Sequence, residues 1–225
     1  MRSKMIGAAM IAAMGSGALA GGPNLVSNGS FETPGPGFVL FQGWENYGGG
    51  VFADQSVEIP AQDGVTSAKM FGEFTGSQND QVLVQTVTGI SAGQTYTLSA
   101  HAWHNDFDAV QPGNLVLLQM VFRNAQGANL EALEVVAINP ASTPTNQWNL
   151  VEVSGIAPPN TSQILVALLH LQLDGVAAGA TFWDNVQLVE GGGSGCNNPA
   201  DFNGDGVLDF FDVQAFLAAF SQGCP

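Results

Sequence analysis

The chain has 225 residues, with 19 acidic side chains against 4 basic ones and a formal net charge of −15. So few cations exclude a nucleic-acid partner, since such binding is carried by Lys and Arg neutralising phosphates, and they argue against docking on an anionic membrane. With 45% hydrophobic and only 10% charged residues the chain is no disordered acidic polymer, and 29 glycines with 11 prolines point to a loop-rich β protein.

Arg2 and Lys4 form a basic head, an apolar stretch runs from Met5 to about Met14, and small residues lead to Ala18-Leu19-Ala20. That order reads as a secretory signal peptide over residues 1–20, with cleavage expected after Ala20. The apolar run is shorter than the roughly 20 residues that span a bilayer. No transmembrane segment is expected after cleavage, and the remaining cations are Lys69 and Arg123.

Residues 21–190 read as short strands separated by turn residues. In Tyr96-Thr97-Leu98-Ser99-Ala100-His101-Ala102-Trp103 the alternation puts Tyr96, Leu98, Ala100 and Ala102 on one face, and His101 and Trp103 on the other. Similar runs lie at 81–88, 115–123, 130–138, 147–154, 164–173 and 181–189, with turn chemistry at 89–93, 111–114, 124–127, 140–144 and 157–160. About ten strands at regular spacing predict an all-β fold, an antiparallel β-sandwich or jelly roll. Trp44, Trp148 and Trp183 are expected to fill its core. Residues 191–195, Gly-Gly-Gly-Ser-Gly, form a flexible linker to a second unit at 196–225.

Both cysteines, Cys196 and Cys224, belong to that second unit. In an exported chain they are expected to pair as a disulfide, closing the segment on itself and stabilising it by roughly 3–4 kcal/mol. Neither has a neighbouring His to make it a nucleophile. Between them, Asp201, Asn203, Asp205, Asp209 and Asp212 place side-chain oxygens at positions 1, 3, 5, 9 and 12 of a twelve-residue loop. Gly206 makes the turn at position 6, and Val207 offers its carbonyl at position 7. This spacing wraps oxygens around Ca²⁺ as an EF-hand loop does. After the loop, Val213, Phe216, Leu217 and Phe220 recur at helical spacing and form one apolar stripe. A unit this small cannot bury such a stripe alone. The stripe needs a cover, either the unit's own N-terminal stretch or the sandwich, or a protein partner that takes it as a helix in a groove.

The loop D-x-N-x-D-G-x-x-x-x-x-D with an exit helix and no entering helix resembles the calcium-loop repeat of bacterial dockerins, over residues 196–225. Dockerins carry two such repeats, and this chain has one. The resemblance implies a calcium-binding unit that attaches an exported protein to a surface or complex. Phe210 and Phe211 stand where dockerins help to choose a partner.

The opening Asn24-Leu25-Val26-Ser27-Asn28-Gly29-Ser30-Phe31-Glu32 and the closing Trp183-Asp184-Asn185-Val186-Gln187-Leu188 resemble jelly-roll carbohydrate-binding modules of galactose-binding-like fold. That resemblance implies a structural calcium held by Glu32 and Asp184, with Asp63 as a third candidate. Two acids brought together repel unless a cation or hydrogen bonds compensate. For a sugar, the expected surface joins Trp103, His101, Gln119, His170 and Gln172, which could line one face if their three strands are neighbours. The acidity favours a neutral carbohydrate. His104, Asp106 and Asp108 read as a solvated loop. No nucleophile elbow, zinc helix or phosphate loop is present. The expectation is a non-catalytic binding protein, secreted or attached to a bacterial surface. Its alternatives are a structural surface or matrix protein without a sugar site and, least favoured, an enzyme.

Overall fold

The computed structural model describes residues 22–37 and 39–191, together with Val213, Gln214, Phe216, Leu217 and Phe220, which are helical. The expected signal peptide, the expected linker beyond Gly191, the expected Cys196–Cys224 disulfide and the expected calcium loop at 201–212 lie outside the described residues.

Ten strands follow one another: β1 (Glu45–Tyr47), β2 (Val51–Asp54), β3 (Ser67–Phe71), β4 (Asn79–Thr88), β5 (Thr95–Trp103), β6 (Asn114–Arg123), β7 (Asn129–Ile138), β8 (Asn149–Ile156), β9 (Gln163–Gln172) and β10 (Ala180–Glu190). They form two five-stranded antiparallel sheets, sheet I in the order β1-β4-β9-β6-β7 and sheet II in the order β2-β3-β10-β5-β8. This is an all-β sandwich of jelly-roll type, and strands β4 to β10 lie where alternation placed them. The additions are β1, β2 and β3, of three, four and five residues, too short for a period of two to show in the sequence.

The core lies between the sheets and follows from the alternation. On β5, Tyr96, Leu98, Ala100 and Ala102 all point inward and are fully buried, facing Leu118, Met120, Val166 and Leu168 from sheet I. Trp44 and Trp183 fill this core, as expected. Trp148 does not. It packs with Trp103 and Phe71 around Ile59, Ala180 and Phe182 in a satellite cluster on the outer side of sheet II. The reason is its place just before β8, where its indole N–H reaches out to donate to the carbonyl of Pro60 at 3.1 Å.

The opening and closing motifs are joined in space. The Asn24 carboxamide accepts from Leu188 N–H at 2.9 Å and donates to the Val186 carbonyl at 3.1 Å, so it substitutes for a strand partner beside β10. The register of β10 against β5 shifts between Asp184 and Gln187, and Asn185 there takes φ +49°. Val186 N–H at this bulge donates to the Gly29 carbonyl, and a Cβ on Gly29 would stand 2.1 Å from the Val186 oxygen. Only glycine lets the two backbones come so close. Phe31 then inserts between Phe41 and Trp44, with ring centroids 4.8 and 5.3 Å away.

At one end of the sandwich, amide side chains tie the loops down. Gln81 accepts from Gly50 N–H, and Gln172 accepts from Phe74 N–H and the Asn79 amide while donating to the Ala177 carbonyl at 2.7 Å. Asn114 donates to the carbonyls of Ala177 and Ala178.

Candidate functional site

The structure separates the five residues that were expected to share a sugar-binding face. His101 and Trp103 are on β5 in sheet II, whereas Gln119, His170 and Gln172 are on β6 and β9 in sheet I. His170 and Gln172 point into the sandwich and are fully buried. Alternation places both on one face, as expected, but it is the inner face, because they continue the series Ile164, Val166 and Leu168. His170 Nδ1 lies 3.0 Å from Thr181 Oγ1, and burial lowers its pKa to about 4, so the imidazole is neutral at pH 7. Gln172 is one of the loop ties described above. Gln119 points outward from sheet I and donates to Glu134 at 3.0 Å.

His101 and Trp103 do point outward from sheet II, but residues 55–66 cross that face as a strap. Trp103 sits edge-on to Trp148 with centroids 5.6 Å apart, and its indole N–H donates to Asn105 at 2.8 Å. Burial lowers the pKa of His101. His104 is buried with Nε2 3.1 Å from the Thr143 carbonyl, so it does not belong to a solvated cluster with the exposed Asp106.

Two carboxylates hold the strap. Glu32 Oε1 accepts from Val65 N–H at 2.9 Å and Thr66 N–H at 2.7 Å. Asp184 Oδ2 accepts from Gln62 N–H at 2.7 Å and Asp63 N–H at 3.0 Å. Asp184 is fully buried, and that burial raises its pKa to about 7 against the opposing pull of the amide hydrogen bonds, with the negative charge of Asp63 raising it further. Glu32, Asp63 and Asp184 thus meet one short stretch of strap, where the first and last segments of the sandwich come together. The hydrogen bonds compensate the carboxylates in part, and burial still leaves the Asp184 pKa raised. Among the described residues, no group of three or more His, Cys, Asp or Glu side chains is placed to hold a metal.

Between the strap and strands β2 and β3 lies an open groove of about 380 Å³, lined by Phe52, Asp54, Val57, Glu58, Lys69 and Phe71. Its aromatic wall follows from the β2–β3 register, which sets Phe52 opposite Lys69 on the outward face. The rings of Phe52 and Phe71 are parallel within 2° at 5.2 Å, and Phe52 is 45% exposed. Lys69 bonds Glu58 and lies about 5.4 Å from the Phe71 ring and 5.5 Å from that of Phe182. Asp54 is buried beneath the strap and accepts from the main-chain N–H groups of Val57, Glu58 and Ile59, which fixes this wall. A second depression, sharing Lys69 and Phe71, continues the groove past Phe74 and Asp108 to Gly179. Sequence reasoning missed this site because β2 and β3 are too short for alternation to show which way their Phe residues point. The one signal was the isolated pattern of a lone Lys between apolar residues in Ser67–Phe71.

The groove offers what a sugar chain needs: an exposed aromatic surface for C–H faces, with a charged donor and acceptor beside it for hydroxyls. No helix among the described residues is long and apolar enough to cross a membrane.

No family model matches the chain. No curated protein matches it. Solved structures do. One is the enzymatically active domain of tailspike protein 4 from Bacteriophage CBA120, with TM-score 0.53 and 18% identity over 74% of this chain. The chain spans only 21% of that domain's length. TmCBM61, solved in complex with beta-1,4-galactotriose, matches with TM-score 0.50 and 19% identity over 75% of this chain and 99% of its own. Arabinose-bound MgGH51 α-L-arabinofuranosidase matches with TM-score 0.50 and 16% identity, over 78% of this chain and 27% of the enzyme. At such identities the likeness is one of fold, the jelly roll found in carbohydrate-binding modules.

Proposed function

We propose that the chain is an exported, non-catalytic binding protein that takes a neutral carbohydrate chain in the groove beside the strap. The carrying observation is the exposed Phe52 ring, parallel to the half-buried Phe71 and set against the Lys69–Glu58 ion pair in an open trough. Sugar rings stack on aromatic faces, and Lys69 and Glu58 supply a donor and an acceptor for hydroxyls. Neutral ligands are favoured because the one cation of the groove is already paired and the chain as a whole repels acidic polymers. Fold likeness to a binding module over that module's whole length supports a binding role, and the sugar is left to the groove's own chemistry.

Calcium belongs to the proposal in two places. One is the loop with Asp201, Asn203, Asp205, Val207, Asp209 and Asp212, whose ligand spacing supports it. The other is the strap, where Glu32 and Asp184 both bond the backbone of residues 62–66 and, with Asp63, would have to draw together around the ion. Attachment to a surface or complex falls to the unit at 196–225, and the Cys196–Cys224 disulfide closes it.

The test is binding to a panel of neutral polysaccharides by affinity electrophoresis and calorimetry, in calcium. A ligand is expected whose affinity falls at least tenfold in Phe52→Ala and in Phe71→Ala, about 1.4 kcal/mol. Binding to no glycan in the panel would leave the structural surface protein as the better account. Binding unchanged in both variants would move the site elsewhere.

A further inference from the structure

Phe74 holds a conformation that a phenylalanine adopts only when its surroundings impose it. Its φ of +57° lies in the left-handed region, where a bulky side chain crowds the backbone and glycine fits freely. The surroundings are a fixed loop. Phe74 N–H donates at 3.0 Å to Gln172, which is fully buried and also bonds the Asn79 amide and the Ala177 carbonyl. Gly72 lets that glutamine in, since a Cβ there would stand 2.2 Å from its Cδ. The Asn79 carboxamide accepts from Glu73 N–H at 2.9 Å, and the Glu73 carboxylate accepts from Gly49 N–H at 2.7 Å. These bonds order the backbone, yet none of them needs an aromatic ring at position 74. The ring is 51% exposed, so packing alone does not account for it. Strain of this kind collects at ligand-binding positions.

Phe74 lines the second depression of the groove. That depression holds about 240 Å³ and meets the first at Lys69 and Phe71. By itself it is smaller than a usual ligand pocket of about 300–1,000 Å³, and joined to the first it falls within that range. Gly179 gives it a lining of bare backbone, and a Cβ there would stand 2.4 Å from the Ala109 carbonyl oxygen. Ala180 N–H donates to the Asp108 carbonyl at 3.2 Å and holds that wall in place. From Lys69 through Phe71 to Phe74 the trough follows β3 and its exit, so it is elongated along an extended strand.

Resting on the carbohydrate reading of the groove, we infer that the two depressions are successive subsites for one ligand. That ligand is an unbranched stretch of neutral β-linked glycan long enough to lie on Phe52 and Phe74 at once. The two rings take C–H faces of different sugar units, and Lys69 donates at the waist between them. Glu58 lines one subsite and Asp108 the other, each bringing a carboxylate that accepts from hydroxyls and repels acidic units. Because the loop is already ordered, little entropy is lost when the second unit settles, and the second subsite adds to affinity.

Isothermal titration calorimetry of the mature full chain in calcium tests this, with cello-, manno- and xylo-oligosaccharides of two to six units as probes. For at least one series the affinity is expected to rise at least tenfold from two units to four, and Phe74→Gly to abolish that rise. Glycine accepts a positive φ without strain, so the urea midpoint of Phe74→Gly should hold or rise. A midpoint that falls would show Phe74 to be a packing residue and overturn the inference. So would equal affinity at every length, or a rise that survives in Phe74→Gly. If Phe52→Ala still weakens binding in those cases, the groove keeps its ligand and only the second subsite is lost. A ligand indifferent to Phe52→Ala would take down the reading of the groove as well. Binding to no series would overturn the inference, and the wider polysaccharide panel then decides the groove by itself.

Discussion

His170 and Asp184 bury titratable groups of opposite type, and their effects on stability oppose one another. Burial holds the His170 pKa at about 4 against 6.5 in the unfolded chain, so the unfolded state takes up a proton first and stability is lost as pH falls from 6.5 through 4. Asp184 is raised to about 7 from 3.8, so between those values the folded state holds a proton that the unfolded state lacks. Its contribution therefore grows as pH falls from 7 towards 4. In calcium-free buffer the native protein should show a shallow melting profile over this range. His170→Gln should make it rise towards acid, and Asp184→Asn should make it fall, a pair of opposite slopes that thermal melts resolve. Gly29 gives a second residue-scale expectation. Its absent Cβ admits the Val186 carbonyl, so Gly29→Ala should lower the unfolding free energy by an amount on the order of 1–3 kcal/mol, read from a fall in the urea midpoint. The burial of His170 was only half legible, for the alternation of β9 showed that His170 and Gln172 share a face. Which face depends on which residues meet across the sandwich, and here Thr181 and the Ala177 carbonyl were waiting inside.

The strap is the element that organises sheet II. Its clasp is made by Glu32 and Asp184, contributed by the first and last segments of the sandwich, and hydrogen bonds to a charged group are worth about 1.5–3 kcal/mol each at best. Glu32→Ala should release the strap alone, seen as faster amide exchange at 62–66 with β6 and β9 still protected. Protection lost everywhere would show that the clasp is part of the global fold. Strands of eight residues and more announced themselves by alternation, as β5 does with Tyr96, Leu98, Ala100 and Ala102. The groove did not, because its walls are β2 and β3, and Phe52, Phe71 and Lys69 become a surface only through pairing with each other and with a strap that has no period at all. Trp103 shows the same limit. Its outward direction was legible on β5, while its cover, Trp148 and the strap, comes from distant segments of the chain.

For the whole molecule, the two proposed calcium sites would each stabilise the unit that holds them. Metal that binds only the folded state stabilises it by about 2.7 kcal/mol at a hundredfold excess over Kd. Exhaustive chelation should therefore lower the melting temperature, Asp201→Asn should remove that response for the C-terminal unit, and Asp184→Asn should remove it for the sandwich. A melt indifferent to chelation would count against both sites. The fold class was legible because a two-sheet jelly roll repeats one simple pattern many times. Gln81, Asn79, Gln172 and Asn114, which close one end of that roll, are uncharged amides. Such bonds have no net charge for dissolved ions to screen, whereas the 19 acids repel each other less as ions are added. The loops at that end should keep their geometry from fresh water to brine, which would suit the export proposed for this chain, into surroundings whose salinity it does not control.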